Sequence, residues 1–326
     1  MEALKFRKAI LLVSLCLWTL TVFPQVKEDT IFQSDYLLIL NTYTSDAPWS
    51  NAIISPVLQW LNMERKTEVY VENMNMLMID DSLKLADLKT NIFAKYGKKK
   101  PKAVLLLGNS MMLFRNEMRE AWGDVPLILC GEESYMGPDD CYIKKYPVVP
   151  SEQVLLTNFT EEYNLTLLQT RVFIEENVKL LQHMIPGMKK IILIGDGRYV
   201  NQQLNTDMKQ LLQKAYPELE YDFYSAANMT TDSLLLKLNK VDSATTGVLL
   251  SSWFTRQVVA GNVQLQANSF QVISNSVTPI FALKNSLVVN SGMIGGFMYS
   301  QTDFNEQLLK TLSVSYTHLT LPTILL

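Results

Sequence analysis

Short, uninterrupted apolar blocks set between amphipathic stretches are the feature that most limits what this chain can fold into. Tyr36–Leu40, Glu68–Val71, Ala103–Leu107 and Val125–Cys130 read as strands buried on both faces, because a strand covered on one side only alternates apolar with polar residues. Helical patterns fall between them, around Trp49–Met63, Leu83–Tyr96 and Met112–Trp122. In the first of these, Ala52, Ile53, Pro56, Val57, Trp60 and Leu61 share one face. Strands alternating with helices give a parallel, doubly wound sheet.

A second series of the same kind follows the loop Tyr142–Pro150, where Pro147 and Pro150 interrupt regular structure. A long amphipathic helix is expected from about Glu161 to Ile185, then a strand at Lys190–Ile194. The next helix carries Val200, Leu204, Met208, Leu211, Leu212 and Ala215 on one face. Strands are expected at Leu219–Tyr224, Gly247–Ser251 and Pro279–Ala282, with a helix at Ser233–Asn239. Beyond them Gly292–Tyr299 reads as a strand and Phe304–Leu312 as a helix, a segment that crosses back to the first series. The fold class is therefore α/β, with two doubly wound Rossmann-like lobes joined by hinge crossovers. The expected boundaries are 35–150 for lobe 1, 151–282 for lobe 2 and 283–313 for the return segment.

The N-terminus differs from the rest. Lys5, Arg7 and Lys8 precede an uncharged apolar run from Ala9 to Phe23, the charge order of an export signal. As a helix this run rises about 22 Å, against about 30 Å for a bilayer core. Residues 1–25 are read as either a cleaved signal peptide or an uncleaved inner-membrane anchor, either of which places the chain in the periplasm. Leu15 before Cys16 is too bulky for a lipoprotein site. In an oxidising compartment Cys130 and Cys141 form a candidate disulfide, the alternative being that Cys130 is a thiol ending a buried strand.

Composition removes several function classes. A chain of 326 residues with 48% hydrophobic and 19% charged residues has ample core, enough for two domains. A net charge of −3 argues against nucleic-acid binding, which needs clustered cations. The one basic run, Lys98, Lys99, Lys100 and Lys102, is broken by Pro101 and reads as a solvated loop. With only His183 and His318 in the chain, no histidine metal site or catalytic triad assembles; His183 falls near a helix C-terminus. No cofactor and no catalytic activity are expected. Glu132 and Glu133 are adjacent on a loop, an arrangement in which two carboxylates usually point apart.

Topology nominates the binding residues. In doubly wound sheets the cleft lies beyond the carboxyl ends of the strands. That selects Asn41, Tyr43, Trp49, Asn109, Ser110 and Glu132 from the first lobe, and Asp196, Tyr199, Ser252 and Trp253 from the second. Tyr43 or Trp253 suits stacking on a flat or sugar-like ligand. Trp49 has packing as its alternative role, Asn109-Ser110 helix capping, and Asp196 turning and capping.

Three segments carry a more specific resemblance: LILNTYTSDAPWS at Leu38–Ser50, NVKLLQHMIPGMKKIILIGDGRY at Asn177–Tyr199, and the strand end Gly247–Trp253. Across about Asp35 to Leu312 the chain resembles the ABC-transporter substrate-binding-like sensor domains at the N-termini of sensor histidine kinases from Bacteroides-like bacteria. The resemblance implies a type I periplasmic-binding-protein fold, a small-molecule ligand in the interlobe cleft, and a receptor that works as a homodimer. Thr44-Ser45-Asp46 departs from the His or Gly-rich turn common in that family, so ligand class does not carry over. A free solute-binding protein of an ABC importer is the alternative.

The C-terminus reads differently again. Val314–Thr323, VSYTHLTLPT, is the translation of GTC TCT TAT ACA CAT CTG ACG CTG CCG ACG, a transposase-adapter string used in library preparation. Residues 314–326 are accordingly read as an artefact tail, with the native gene continuing past about Ser313 toward a kinase.

Overall fold

The computed structural model describes residues 36–65, 67–144, 148–259, 262–285 and 293–317. The expected signal or anchor at 1–25, Cys16 and His318 lie outside the described residues, as does most of the adapter-like tail. The apolar blocks pair in parallel to build the first sheet, although Glu68–Val71, expected to be buried on both faces, lies at the sheet edge with its residues exposed or half-buried. Its strands are β1 (Tyr36–Asn41), β2 (Glu68–Asn73), β3 (Ala103–Leu107) and β4 (Leu127–Gly131). A small antiparallel ribbon, β5 (Tyr135–Met136) with β6 (Val154–Leu155), interrupts the series before β7 (Leu165–Gln169) closes the sheet in the order β2-β1-β3-β4-β7. The second sheet joins β8 (Lys190–Gly195), β9 (Glu220–Ser225) and β10 (Thr246–Leu250). After the antiparallel hairpin β11 (Phe254–Val259) and β12 (Asn262–Ala267) comes β13 (Phe281–Ala282), and the order is β13-β10-β8-β9. In each sheet the first strand lies between the second and third, so the two lobes repeat one winding.

Helices cover both faces. In chain order they are α1 (Pro48–Trp60), α2 (Ser82–Tyr96), α3 (Arg115–Trp122), α4 (Asp139–Lys144), α5 (Ile174–Met184), α6 (Tyr199–Ala215), α7 (Thr231–Leu238), α8 (Ser269–Asn275) and α9 (Gln301–Thr317). Strand alternation divides each lobe's core into two layers: Leu38 and Leu40 pack on one side of the first sheet, Leu37 and Ile39 on the other. Ile191 with Leu193, and Ile192 with Ile194, do the same in the second. Helix α9 returns to the first lobe, where Phe304, Leu308 and Leu312 join Ile53 and Val57 of α1. Asn305 fastens it by donating to the Ala52 carbonyl at 3.0 Å.

Three sequence expectations are corrected here. The helix expected over Glu161–Ile185 is instead strand β7 followed by α5. Asn164 takes a left-handed φ of 46° and breaks the chain just before a run of residues that pairs with β4. A fully buried run of this length fits helix or strand equally by periodicity. Because β7 belongs to the first sheet, the first lobe extends to about Thr170, not Pro150. The strand expected at Gly292–Tyr299 is absent over its described part, residues 293–299. Asn177 holds that stretch by side-chain hydrogen bonds to the backbone of Phe297, at 2.8 and 2.9 Å.

Cys130 and Cys141 are both buried and are not joined in a disulfide, which corrects the disulfide expectation. Cys130 points into the layer containing Leu37 and Ile39, whereas Cys141 packs in the opposite layer with Leu38 and Leu40. A sheet separates two sulfurs that a disulfide would hold about 2 Å apart. Peptide mapping of the chain, denatured without reductant and alkylated, should find both residues singly modified; a linked peptide containing the two would contradict the layering.

Candidate functional site

Both sheets end their strands toward one cleft, and the loops there build the candidate site. Two adjoining chambers occupy it, with cavity volumes of about 80 and 350 Å³. Tyr43, Trp49, Glu132 and Arg198 border both. The inner, smaller chamber is otherwise lined mainly by first-lobe residues, including Asn109, Ser110, Glu133 and Tyr142, together with Tyr199 and Val200 from the head of α6. The outer chamber takes Ala47 and Pro48 from the first lobe and Ser252, Phe254, Ser269, Phe270 and Ile273 from the second.

Local sequence explains how these groups reach the cleft. Asn41, fully buried at the end of β1, donates to Asn73 at 2.8 Å and Ser50 at 3.2 Å, and accepts from the Tyr43 backbone at 3.2 Å. It shapes the loop that presents Tyr43 and does not itself line either chamber, so the nomination of Asn41 as a ligand contact is corrected to a positioning role. Pro48 starts α1, where its fixed φ and missing N–H cost nothing. Trp49 follows and packs edge-on to Tyr43, with centroids 5.8 Å apart. Gly131 ends β4 where any Cβ would fall on Asn109 Oδ1, so glycine is what lets Asn109 fold over the strand end. Asn109 Nδ2 donates to the Glu133 carbonyl at 3.0 Å, and Ser110 shares a 2.9 Å hydrogen bond with Thr42.

The second lobe contributes a charged clamp. Asp196, 1% exposed, accepts from Arg198 Nε at 2.8 Å and Nη2 at 2.9 Å, a bidentate pair. Ser252 donates to Asp196 at 2.8 Å and accepts from Arg198 at 2.6 Å and from Asn201 at 2.9 Å. The Arg198 guanidinium lies 4.1 Å from the Phe254 ring centroid, within cation–π range. Burial alone would raise the Asp196 pKa, but the charge and hydrogen bonds of Arg198 outweigh it and hold the carboxyl below its ordinary value. Asp196 therefore orients Arg198, and Arg198, which sequence reasoning passed over, is the group that meets the cleft.

Of the other nominees, Tyr43, Trp49, Asn109, Ser110, Glu132 and Tyr199 line the inner chamber, and Ser252 the outer. Trp253 is corrected: it is fully buried in the second-lobe core, with its indole donating to Thr231 at 3.0 Å. Glu132 forms an ion pair with Lys284, Nζ to carboxylate 2.5 Å, a contact across 152 positions that no local pattern signals. Glu133 has no cationic partner among the described residues. Burial, then the neighbouring Glu132 charge, pushes its pKa up to about 7, against the opposing pull of its backbone hydrogen bond, Lys284 and Arg198. Burial likewise raises the Tyr43 hydroxyl, Arg198 pulling the other way. Among the described residues no group of His, Cys, Asp and Glu gathers to hold a metal.

The fold has known counterparts. The chain is similar to an ABC domain from Streptococcus pneumoniae solved in complex with L-Trp, at 13% identity and a TM-score of 0.55 over 90% of this chain and 89% of that one. It is also similar to the trehalose repressor of Escherichia coli, at 11% identity and TM-score 0.53 over 89% and 96% of the two chains. A periplasmic sugar-binding protein from Legionella pneumophila matches at 11% identity and TM-score 0.52 over 88% and 97%. These likenesses show the fold, that of type I periplasmic binding proteins. No family model matches the chain, and no curated protein does.

Two measurements check the site's electrostatics. Asp196→Ala leaves Arg198 buried without its partner and should cost about 3–5 kcal/mol in denaturant unfolding; a change below about 1 kcal/mol would mean that the pair is not buried in solution. Glu133, whose folded pKa is raised above the ordinary 4.5 to about 7, keeps its proton in the folded state where the unfolded chain has lost it. Its contribution to stability is thus largest below about pH 4.5 and is lost as pH rises to about 7. Glu133→Gln should remove that decline from the stability–pH curve, and an unchanged curve would show that Glu133 is solvated.

Proposed function

We propose that the chain is an extracytoplasmic sensing domain that binds a small molecule between its lobes and signals by lobe closure. The observation that carries this is a cleft whose walls come from both lobes: Tyr43, Trp49 and Glu132 on one side, Arg198 and Phe254 on the other. A ligand touching both walls stabilises the closed arrangement by its differential contacts. The type I periplasmic-binding-protein fold supports the reading, since the solved proteins sharing it include sugar-binding and L-Trp-bound examples.

The receptor context is supported by the basic-then-apolar N-terminus, which fits export to the periplasm, and by the resemblance of Leu38–Ser50, Asn177–Tyr199 and Gly247–Trp253 to kinase sensor domains. In this reading the chain is the sensing portion of a two-component histidine kinase, held at the inner membrane and working as a homodimer. The pairing of Glu132 with Lys284, and linings that among the described residues hold no histidine, favour binding over catalysis. A free periplasmic solute-binding protein of an importer uses the same cleft.

Incubated with a bacterial metabolite extract and desalted, the chain should retain one small molecule detectable by native mass spectrometry. Tyr43→Ala, which removes the ring bordering both chambers, is expected to weaken retention about tenfold. Retention of nothing, or equal retention by the variant, would count against a cleft ligand. Re-sequencing of the native locus separates the two contexts. A second apolar segment and a kinase histidine box beyond Ser313 support the receptor, and a stop codon at that position supports the importer component.

A further inference from the structure

The inner chamber carries a charge imbalance that the protein itself does not resolve. Three carboxylates border or support the cleft, and two are matched within the chain: Asp196 by Arg198 and Glu132 by Lys284. Glu133 is left over, half-buried between the inner chamber and the neighbouring hollow beside Gln169 and Asp207. An ionised carboxylate out of water needs a cation or several donors. Three further buried polar atoms lie unpartnered in the same lining: Asn109 Oδ1, an acceptor on a residue 4% exposed, the Tyr199 hydroxyl, on a residue 5% exposed, and the Trp49 indole N–H, a donor. A carboxylate and an amide oxygen both ask for hydrogen-bond donors, and among the described residues both face a chamber whose one cation, Arg198, is already paired.

The remaining lining is aromatic. Tyr43, Trp49, Tyr142 and Tyr199 all border the inner chamber, and the Tyr142 and Tyr199 rings pack with centroids 5.0 Å apart. Several aromatic rings beside a carboxylate make the environment that recognises an ammonium ion, through ring quadrupoles and charge together. A ligand carboxylate would meet Glu133 and Glu132, with the Arg198 charge already bound by Asp196.

We propose that the inner chamber is a site for an organic ammonium group, held on Glu133 within a lining of Tyr43, Trp49, Tyr142 and Tyr199. This rests on the reading of the cleft as a small-molecule site and names the ligand class. The outer chamber, with Pro48, Phe254, Phe270 and Ile273, accommodates an apolar body attached to that group. The charged and titratable groups facing Glu133 are Glu132 on its own loop, Tyr142 from α4, Arg198 and Tyr199 at the head of α6, and Lys284 after β13, with Asp207 and Arg171, the latter paired with Glu176, across the hollow that Glu133 also borders.

Calorimetric titration of the purified chain with matched probes tests this. Choline is compared with its neutral carbon isostere neohexyl alcohol, phenethylamine with phenethyl alcohol, and L-phenylalanine supplies a zwitterion. At about pH 8, where a carboxyl of this kind is ionised, at least one amine should bind about tenfold or more tightly than its neutral isostere. Glu133→Gln should remove that advantage, the amine then binding no more tightly than its isostere, while the variant is no less stable than the original chain at this pH. Amine affinity should also fall as the pH is lowered to about 5.5 and Glu133 takes up a proton. Equal binding of amine and isostere, tighter binding of L-phenylalanine, full amine affinity in Glu133→Gln, or no amine binding at all would overturn the proposal. Retention of a neutral or anionic metabolite from the extract would overturn it while leaving the cleft reading intact. Retention of nothing would count against the cleft reading itself.

Discussion

Burial of both faces of two parallel sheets is the constraint on which everything else in this molecule depends. A parallel strand covered on either side has nowhere to place polar side chains except beyond its ends. The loops after β1, β3, β4, β8 and β10 consequently hold the hydrogen-bonding groups, and the common winding of the two sheets brings those loops to one cleft. The site is what two apolar cores leave at their shared edge.

Within that edge, division of labour is set by burial. Asn41 and Asp196 are nearly or wholly inaccessible and spend their hydrogen bonds on neighbours; they fix Tyr43 and Arg198, which meet the cleft. Pairing consumes most of the charge there. Arg198 is held by Asp196 and stacked on Phe254, and Lys284 by Glu132. Glu133 is the residue at which this internal matching stops, which is why the proposed ammonium site is centred on it.

How much of this was legible depended on whether the signal was local. Strands such as Ala103–Leu107 announce themselves as unbroken apolar runs, and the α6 face through Leu204, Met208 and Leu212 as a clean helical period. Leu165–Gln169 reads as helix because its alternation is hidden by burial on both sides, and the cue that breaks it, Asn164 in left-handed geometry, is a single residue. The hairpin of β11 and β12 went unread, since its polar positions lack the continuous run that marked the other strands. In the site, strand-end logic nominated Tyr43, Trp49, Asn109, Ser110, Glu132, Tyr199 and Ser252, which line the chambers. It mistook Trp253 for a cleft residue because position along the chain does not reveal which way an indole turns. Arg198 was overlooked beside Asp196-Gly197, whose turn chemistry gave a sufficient local account, and Lys284 meets Glu132 only through the tertiary fold.

The claim that ties these parts together is that one ligand is gripped by both lobes at once. A crystal structure of the chain with the small molecule that it retains from a metabolite extract tests it most directly. Ligand density is expected in the cleft, in contact with Tyr43 or Trp49 from the first lobe and with Arg198 or Phe254 from the second. Density confined to one lobe, or bound away from these residues, would contradict it.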